Sequence, residues 1–220
     1  MKESSFAIAY TPGVQRCVDR IRAALAEESV EQALLRRLQS ILVHFLHEGV
    51  IGSEIPVPEP LTARDLHHDE QLGFRLRVRT HMPGETETPH DHADTWSVYA
   101  LHRGAQRVVH YERLDDGSVP GRCRVVVAKT VELRPGEADS VAARAIHQDI
   151  TASDGAVRVG IQGRDTSGHW VNHFDIERGL VLRDPVPRGG FVTERRKAWV
   201  EGRGCVDPVE LVRAASSGSP

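Results

Sequence analysis

The sequence predicts an all-β core that is preceded by a helical N-terminal region. Apolar residues recur at helical spacing as far as residue 46, and from residue 73 onwards they alternate with polar residues. Turn signals then separate short strand-like runs every 8 to 15 residues, a spacing that is typical of a sandwich, a jelly roll or a barrel.

The helical region contains two amphipathic segments, residues 14–27 and 30–46, and each carries an apolar stripe that needs a partner surface. The Pro-rich stretch GSEIPVPEPL follows them and predicts a connector. We therefore predict a helical extension and linker over residues 1–57, a barrel over 58–199 and a C-terminal tail over 200–220.

The strand-like runs carry the alternation that a half-buried sheet requires. The first run presents a row of three arginines, Arg75, Arg77 and Arg79, on one face. A row of unpaired charge cannot enter a dry core, so this face is expected at solvent, at a subunit contact or at the rim of an anionic pocket. The runs span residues 73–85, 95–104, 105–114, 121–133, 140–151 and 156–165.

The composition excludes several classes of function. The net charge of -3 offers no basic field for nucleic acid, and no run of about 18 apolar residues predicts a membrane span. The N-terminus has no apolar centre of the kind found in signal peptides, so a cytoplasmic protein is expected. The three cysteines, Cys17, Cys123 and Cys205, are far apart and are expected to be reduced thiols.

Two histidines one residue apart, His90 and His92, are the first candidates for chemistry. At the start of a strand, residues i and i+2 point to the same face, so both imidazoles can point into a barrel. His147 is the best candidate for a third ligand from a later strand. Neutral imidazoles suit iron, zinc, copper or nickel, and three protein ligands leave positions open for substrate and oxygen.

The core resembles the cupin superfamily. Gly84, then His90 and His92, then the closing Gly104 follow the spacing of the first motif of that family, and the Pro-Gly pair ahead of His147 resembles the second. The resemblance implies a double-stranded β-helix, a jelly-roll barrel that holds a metal ion.

The glutamate that usually completes the cupin ligand set is missing, because Trp96 and Ser97 stand in its place. A site of three histidines is similar to that of the thiol dioxygenases, of which cysteine dioxygenase is the best known. HDHADTW and IHQDIT resemble the histidine segments of those enzymes, and LTARDLHHDE resembles the stretch whose arginine, here Arg64, binds the substrate carboxylate. A surface arginine is the alternative for Arg64.

This resemblance implies a mononuclear non-heme Fe(II) centre and O2 as co-substrate. The implied reaction adds both oxygen atoms to a small thiol that bears a carboxylate, which gives a sulfinate. No nucleic acid or membrane partner is implied, and the chain is expected to be a monomer or a homodimer.

The chain departs from the thiol dioxygenases behind the metal. Their Ser-x-His-x-Tyr series is replaced by Arg158, Gly160 and Gln162, and Ser97 replaces the cysteine that can crosslink to the tyrosine. Arg158 could bind a carboxylate through two hydrogen bonds, and Gln162 could contact substrate or oxygen. The alternatives for Arg158 are an outward charge or a salt bridge to Asp149 or Glu177.

Other readings stay open at this point. The enzymatic alternatives are an oxygenase with a non-thiol substrate and a non-redox zinc or manganese isomerase, and a metal-binding or ligand-sensing protein without turnover is the third. Asp94 is expected in a loop or as a hydrogen-bond acceptor for a histidine N–H, and a fourth metal ligand is the alternative. His169 and His173 are expected at the surface or at the rim of the pocket.

Overall fold

The computed structural model describes residues 11–53, 63–163, 170–185, 198–200 and 204–206. Within these ranges, helices come first and antiparallel strands follow, so the predicted all-β core with N-terminal helices is confirmed. The expected boundary between residues 57 and 58 lies outside the described residues.

Two helices cover one face of the sheet. α1 (Pro12–Glu27) begins after Thr11, whose side-chain oxygen accepts a hydrogen bond of 3.3 Å from the backbone N–H of Val14. α2 (Glu31–His47) runs against α1, and a single turn, α3 (Val50–Ser53), follows it. Their apolar stripes join the buried side chains of three central strands in one core, which agrees with the predicted amphipathic segments.

The strands form two antiparallel sheets in the described part of the chain. The larger has the order β1-β2-β6-β3-β4 with β5 beside β3, and the smaller has the order β10-β9-β8-β7. Their bounds are β1 Ala63–His68, β2 Arg75–His81, β3 Ser97–Arg113, β4 Val125–Leu133, β5 Ala138–Val141, β6 Ile146–Gln162, β7 Trp170–Asp175, β8 Leu180–Pro185, β9 Ala198–Val200 and β10 Gly204–Val206.

The predicted boundary of the C-terminal tail at residue 200 falls at the last residue of β9. β9 pairs with β10, and Trp199 pairs with Arg183 of β8. The strand pairing of the smaller sheet therefore extends beyond residue 200.

The central strands have one apolar and one polar face. Val78 of β2 and Ala100 of β3 both lie opposite Val159 of β6, and this face packs against the helices. Residues directly opposite one another share a face, so Arg79, opposite Arg158, lies on the other side of the sheet. The polar face is the one that lines the inside of the barrel.

β3 and β6 are longer than the sequence predicts, because each joins two of the predicted runs into one bent strand. The bend falls at Gly104, which has a φ of +84°. A Cβ at this position would lie 2.0 Å from the carbonyl oxygen of Gly155, so no other residue fits there without moving the backbone. The glycine therefore permits a bend, where the sequence indicated a break.

The segment that leads into the histidine pair joins the two sheets. His90 forms antiparallel bridges with His147 of β6 and with His173 of β7. This double pairing brings residues from three separate parts of the chain to one place inside the barrel. None of the helices in the described residues is long and apolar enough to cross a bilayer.

Candidate metal centre

His90, His92 and His147 come together as the sequence predicts. One ring nitrogen from each lies within 4.8 Å of one from every other, which is a spacing that a single metal ion can bridge. The ring centroid of His90 is 5.2 Å from that of His92 and 4.4 Å from that of His147. The site residues predicted to hold a metal therefore form one cluster.

The histidine pair reaches this position without the regular strand that was expected for it. His90 forms isolated bridges, and His92 lies in an irregular stretch ahead of β3. The residue between them, Asp91, is buried and accepts hydrogen bonds from the backbone N–H of Asn172 at 3.0 Å and from its side-chain amide at 2.6 Å. Asp91 thus fixes the pair to β7, a role that sequence spacing did not indicate.

The three rings can each offer a nitrogen to a metal ion. Nδ1 of His90 donates a hydrogen bond of 2.9 Å to the carbonyl oxygen of Thr88, so Nε2 is the nitrogen of this ring that remains available. Burial, together with the neighbouring His90, lowers the pKa of His92 to about 3. Burial, together with the nearby His90 and His92, lowers the pKa of His147 well below its ordinary value. The rings of His92 and His147 therefore stay neutral.

Two buried nitrogens test whether the cluster fits a metal ion. Nδ1 of His92 and Nδ1 of His147 have no hydrogen-bond partner in the described part of the chain. Buried imidazoles rarely lack partners, and an ion or an ordered water is the usual explanation. Three neutral imidazoles are also a donor set that suits iron, zinc, copper or nickel. The residues therefore fit a divalent transition metal.

Arg158 lies on the inner face of β6 and pairs with Asp149, as one of the sequence alternatives stated. Its Nη1 donates to Oδ2 of Asp149, and the guanidinium carbon lies 4.6 Å from the ring centroid of Tyr99. Burial by itself would raise the pKa of Asp149, but the guanidinium outweighs it and holds that pKa below its usual value. Of the two salt-bridge partners that the sequence offered, Asp149 and Glu177, the structure therefore selects Asp149.

Tyr99 completes this inner group. Its side chain is buried, and its hydroxyl has no hydrogen-bond partner among the described residues. Gly160 lies opposite it on β6. The hydroxyl of Tyr99 thus adds a polar atom to the interior.

The other predicted catalytic residues, Ser97, Gln162 and Arg64, occupy other positions in the larger sheet. Ser97 and Gln162 are opposite one another and share the inner face with Arg158, at a distance of about 13 Å along β6 from Arg158 to Gln162. Arg64 is opposite Val78 on the face that the helices cover. The structure brings Arg158 into the same interior as the histidines, whereas it does not bring Arg64 there.

Two further predictions differ in outcome. Asp94 is exposed and forms an ion pair with Arg144 at 2.5 Å, so it is a loop residue and not a ligand. His173 is buried, and its ring stacks on that of His90 with centroids 5.7 Å apart. The sequence pattern placed His173 at the surface or the rim, but β7 carries it to the metal centre. His169 lies outside the described residues.

The arginine row is paired with carboxylates, which explains how it enters the barrel. Arg79 contacts both Glu85 and Glu87 at 3.0 Å. Arg77 contacts Asp65 at 2.9 Å. The sequence expectation of an anionic rim is closest to this arrangement, because the exposed Asp65 and the half-buried Glu85 and Glu87 balance the charge of the arginines.

The stability of the protein is expected to depend on pH because of His81, which lies beside these carboxylates. Burial, with the nearby Arg158, lowers its pKa from 6.5 to about 4. Between these values the unfolded chain binds a proton that the folded chain does not, so the free energy of unfolding falls as the pH drops. His81→Gln is expected to flatten urea-unfolding stability between pH 6.5 and 4 by about 1.4 kcal/mol per pH unit at most. An unchanged slope in the variant would contradict this expectation.

Comparisons with known proteins show a likeness in fold. The barrel is similar to oxalate oxidase in complex with glycolate (18% identity, TM-score 0.36), covering 50% of this chain and 54% of that one. It is similar to a cupin superfamily protein from Desulfitobacterium hafniense (16% identity, TM-score 0.37), covering 51% of this chain and 86% of that one. It is also similar to a cupin 2 domain-containing protein from Halorhodospira halophila (20% identity, TM-score 0.36), and this match covers 47% of this chain and 64% of that one.

The match therefore spans about half the length of oxalate oxidase. No protein-family model matches the chain, and no curated protein matches it significantly. Because the TM-scores are below 0.5, the function proposed below depends on the side chains of this chain alone.

Proposed function

We propose that this chain is a mononuclear non-heme iron dioxygenase that acts on a small, carboxylate-bearing molecule, with a thiol converted to a sulfinate as the first candidate reaction. The observation that supports it is the cluster of His90, His92 and His147, whose ligand atoms lie within 4.8 Å of one another inside the barrel. Fe(II) bound there would supply the one-electron and O2 chemistry that side chains lack.

The chain itself supplies orientation and a binding charge. Arg158 is held by Asp149 and lies over the ring of Tyr99, so its guanidinium has one fixed direction. A guanidinium has five donors and the Asp149 contact uses Nη1, so its remaining edge suits a substrate carboxylate. Arg158 would thus orient the substrate beside the metal.

The chain also excludes water on one side of the site. The ring of Tyr99 packs with buried apolar side chains of β3, β4, β5 and β6, among them Leu101, Val108 and Val141. Because these apolar side chains exclude water, they strengthen the electrostatic interactions of Arg158 and limit side reactions with solvent.

A non-thiol substrate is the second candidate, and one observation favours it. Gly160 lies where the resemblance to thiol dioxygenases expects a histidine on β6, and the ring of Tyr99 is opposite it. The polar groups that would face the substrate thus differ from those of that family. A changed set of groups is consistent with a changed substrate.

The test is oxygen uptake by protein loaded with Fe(II) under anaerobic conditions. Three matched small molecules are offered: a thiol with a carboxylate, the same thiol without the carboxylate, and the carboxylate without the thiol. We expect uptake with the first alone, with one O2 consumed for each sulfinate detected by mass spectrometry. Uptake with the thiol-free carboxylate would favour the second candidate, and no uptake with an extended panel at full iron occupancy would overturn the oxygenase proposal.

A further inference from the structure

Glu87 lies beside the three histidines but is not one of the predicted metal ligands. Its backbone N–H donates a hydrogen bond of 2.9 Å to the carbonyl oxygen of Asp149, which fixes it next to β6. Its Oε2 lies 3.8 Å from Nε2 of His90, and both side chains are only 15% exposed. The carboxylate therefore faces the same ring atom that would bind the metal.

Two polar atoms face one another across this gap. The hydrogen bond to the carbonyl oxygen of Thr88 uses Nδ1 of His90, so Nε2 is the ring nitrogen that the carboxylate faces. A cation between Nε2 and Oε2 would satisfy both atoms, and ring nitrogens of His92 and His147 lie within 4.8 Å of one of His90 to share a metal ion. The pair is thus arranged for a shared cation.

The separation also suits two ligands of one ion. Ligand atoms that each lie about 2.1 Å from an ion are about 3 Å apart at a right angle and about 4.2 Å apart when they are opposite. The observed 3.8 Å between Oε2 of Glu87 and Nε2 of His90 falls between these limits.

Arg79 orients the carboxylate. Its Nη1 contacts Oε1 of Glu87 at 3.0 Å, which leaves Oε2 directed to His90. Its Nη2 donates to Oε1 of Glu85, also at 3.0 Å, and Glu85 accepts the backbone N–H of Met82 with its other oxygen at 2.9 Å. The two glutamates therefore share one arginine, but only Glu87 has an oxygen facing the metal-binding atom of His90.

We propose that Glu87 is a fourth ligand of the metal held by His90, His92 and His147; this inference rests on the metal centre of the proposed function. The carboxylate comes from the stretch before the histidine pair, whereas Trp96 and Ser97 occupy the positions after it where the cupin motif carries a glutamate. A fourth ligand leaves one fewer position for substrate or oxygen, and it halves the net charge of a bound divalent ion.

The experiment compares Glu87→Gln with Glu85→Gln in the full-length chain. Both changes remove one carboxylate charge from the Arg79 group, and the glutamine oxygen can still accept from Arg79, so general charge effects are matched. The probe is Co(II), and the readouts are its affinity against a competing chelator, its stoichiometry and the visible absorption bands of the bound ion.

We expect Glu87→Gln to bind Co(II) about 10-fold or more weakly and to shift the absorption bands, while Glu85→Gln keeps both close to the wild-type values. Equal affinity and identical bands in the two variants would overturn the inference. A second ion for each chain that disappears in His81→Gln would also overturn it, because Glu87 would then serve the group that it forms with His81 and Glu85.

Further comparisons distinguish a folding defect and a failure of the metal centre from a failure of the fourth-ligand inference. If Glu87→Gln does not fold, Glu87→Asp keeps the charge but shortens the arm, and it is expected to bind Co(II) more weakly than Glu85→Asp does. Equal affinity of the two aspartate variants would overturn the inference. Wild-type protein that binds no ion would overturn the metal centre itself, whereas binding that needs the histidines but not Glu87 would overturn only the fourth ligand.

Discussion

His90→Ala is expected to abolish stoichiometric metal binding and, with it, any metal-dependent turnover. The His90 ring contacts the other two rings of the cluster, with centroids 5.2 Å and 4.4 Å away, and the hydrogen bond to Thr88 uses its Nδ1, so Nε2 is the nitrogen available to a metal ion. Removing partners that only orient a ligand costs about 10- to 100-fold in metal affinity, so removing a ligand is expected to cost about 100-fold or more. Metal content after dialysis, with a competition titration, measures the loss.

His44→Ala is the matched control for this variant. His44 is 55% exposed on α2 and its Nε2 lies 3.0 Å from Oε1 of Glu48 on the same helical face, so its loss removes an imidazole without touching the barrel. The control is expected to keep one ion for each chain. One tightly bound ion in His90→Ala would show that the three histidines do not form the centre.

Asp149→Ala is expected to lower the free energy of unfolding by about 3–5 kcal/mol, since it leaves a buried guanidinium without its partner. Asp149 is 1% exposed and Arg158 is 13% exposed, so neither charge can turn to water without moving the strand. Unfolding in urea at neutral pH measures the loss. A change below about 1 kcal/mol would mean that Arg158 finds another acceptor or reaches water.

Two comparisons isolate the cause of this loss. Asp94→Ala breaks the exposed ion pair with Arg144, whose side chains are 55% and 76% exposed, and it is expected to cost about 0–1 kcal/mol. Adding Arg158→Leu to Asp149→Ala is expected to recover part of the stability, because the unpaired charge is then removed. A double variant that is less stable than Asp149→Ala would argue against desolvation of Arg158 as the cause.

The helices and the sheet could be predicted because their signals are local. The amphipathic segments 14–27 and 30–46 became α1 (Pro12–Glu27) and α2 (Glu31–His47) with an error of a few residues. The prediction missed that β3 and β6 are continuous, since it treated Gly104 as a break. A glycine marks both turns and bends, and only the close approach of another strand decides between them.

The metal cluster could be predicted in part. The spacing of His90 and His92, with His147 on a later strand, was enough to name the three rings. His173 and Glu87 were missed because their positions depend on how the segment before the histidine pair contacts β6 and β7, and no short-range pattern reports such pairing.

The roles of the arginines show the same division. Arg64 and Arg158 were both candidates for binding a carboxylate, and no sequence pattern separated them by face. The ladder between β1 and β2 places Arg64 opposite Val78, under the helices, while Arg158 faces the inside of the barrel. Strand register decides such a question, because a shift by one residue moves every side chain to the other face.

The sequence by itself determined the class of fold and the residue types of the site, because periodicity and histidine spacing act over a few residues. Tertiary structure alone decided which charges meet. The pairing of Arg158 with Asp149, and the position of Glu87 between Arg79 and His90, depend on residues from different strands and loops. Buried charges are stable only beside such partners, so the packing of the whole barrel sets the chemistry that the three histidines can perform.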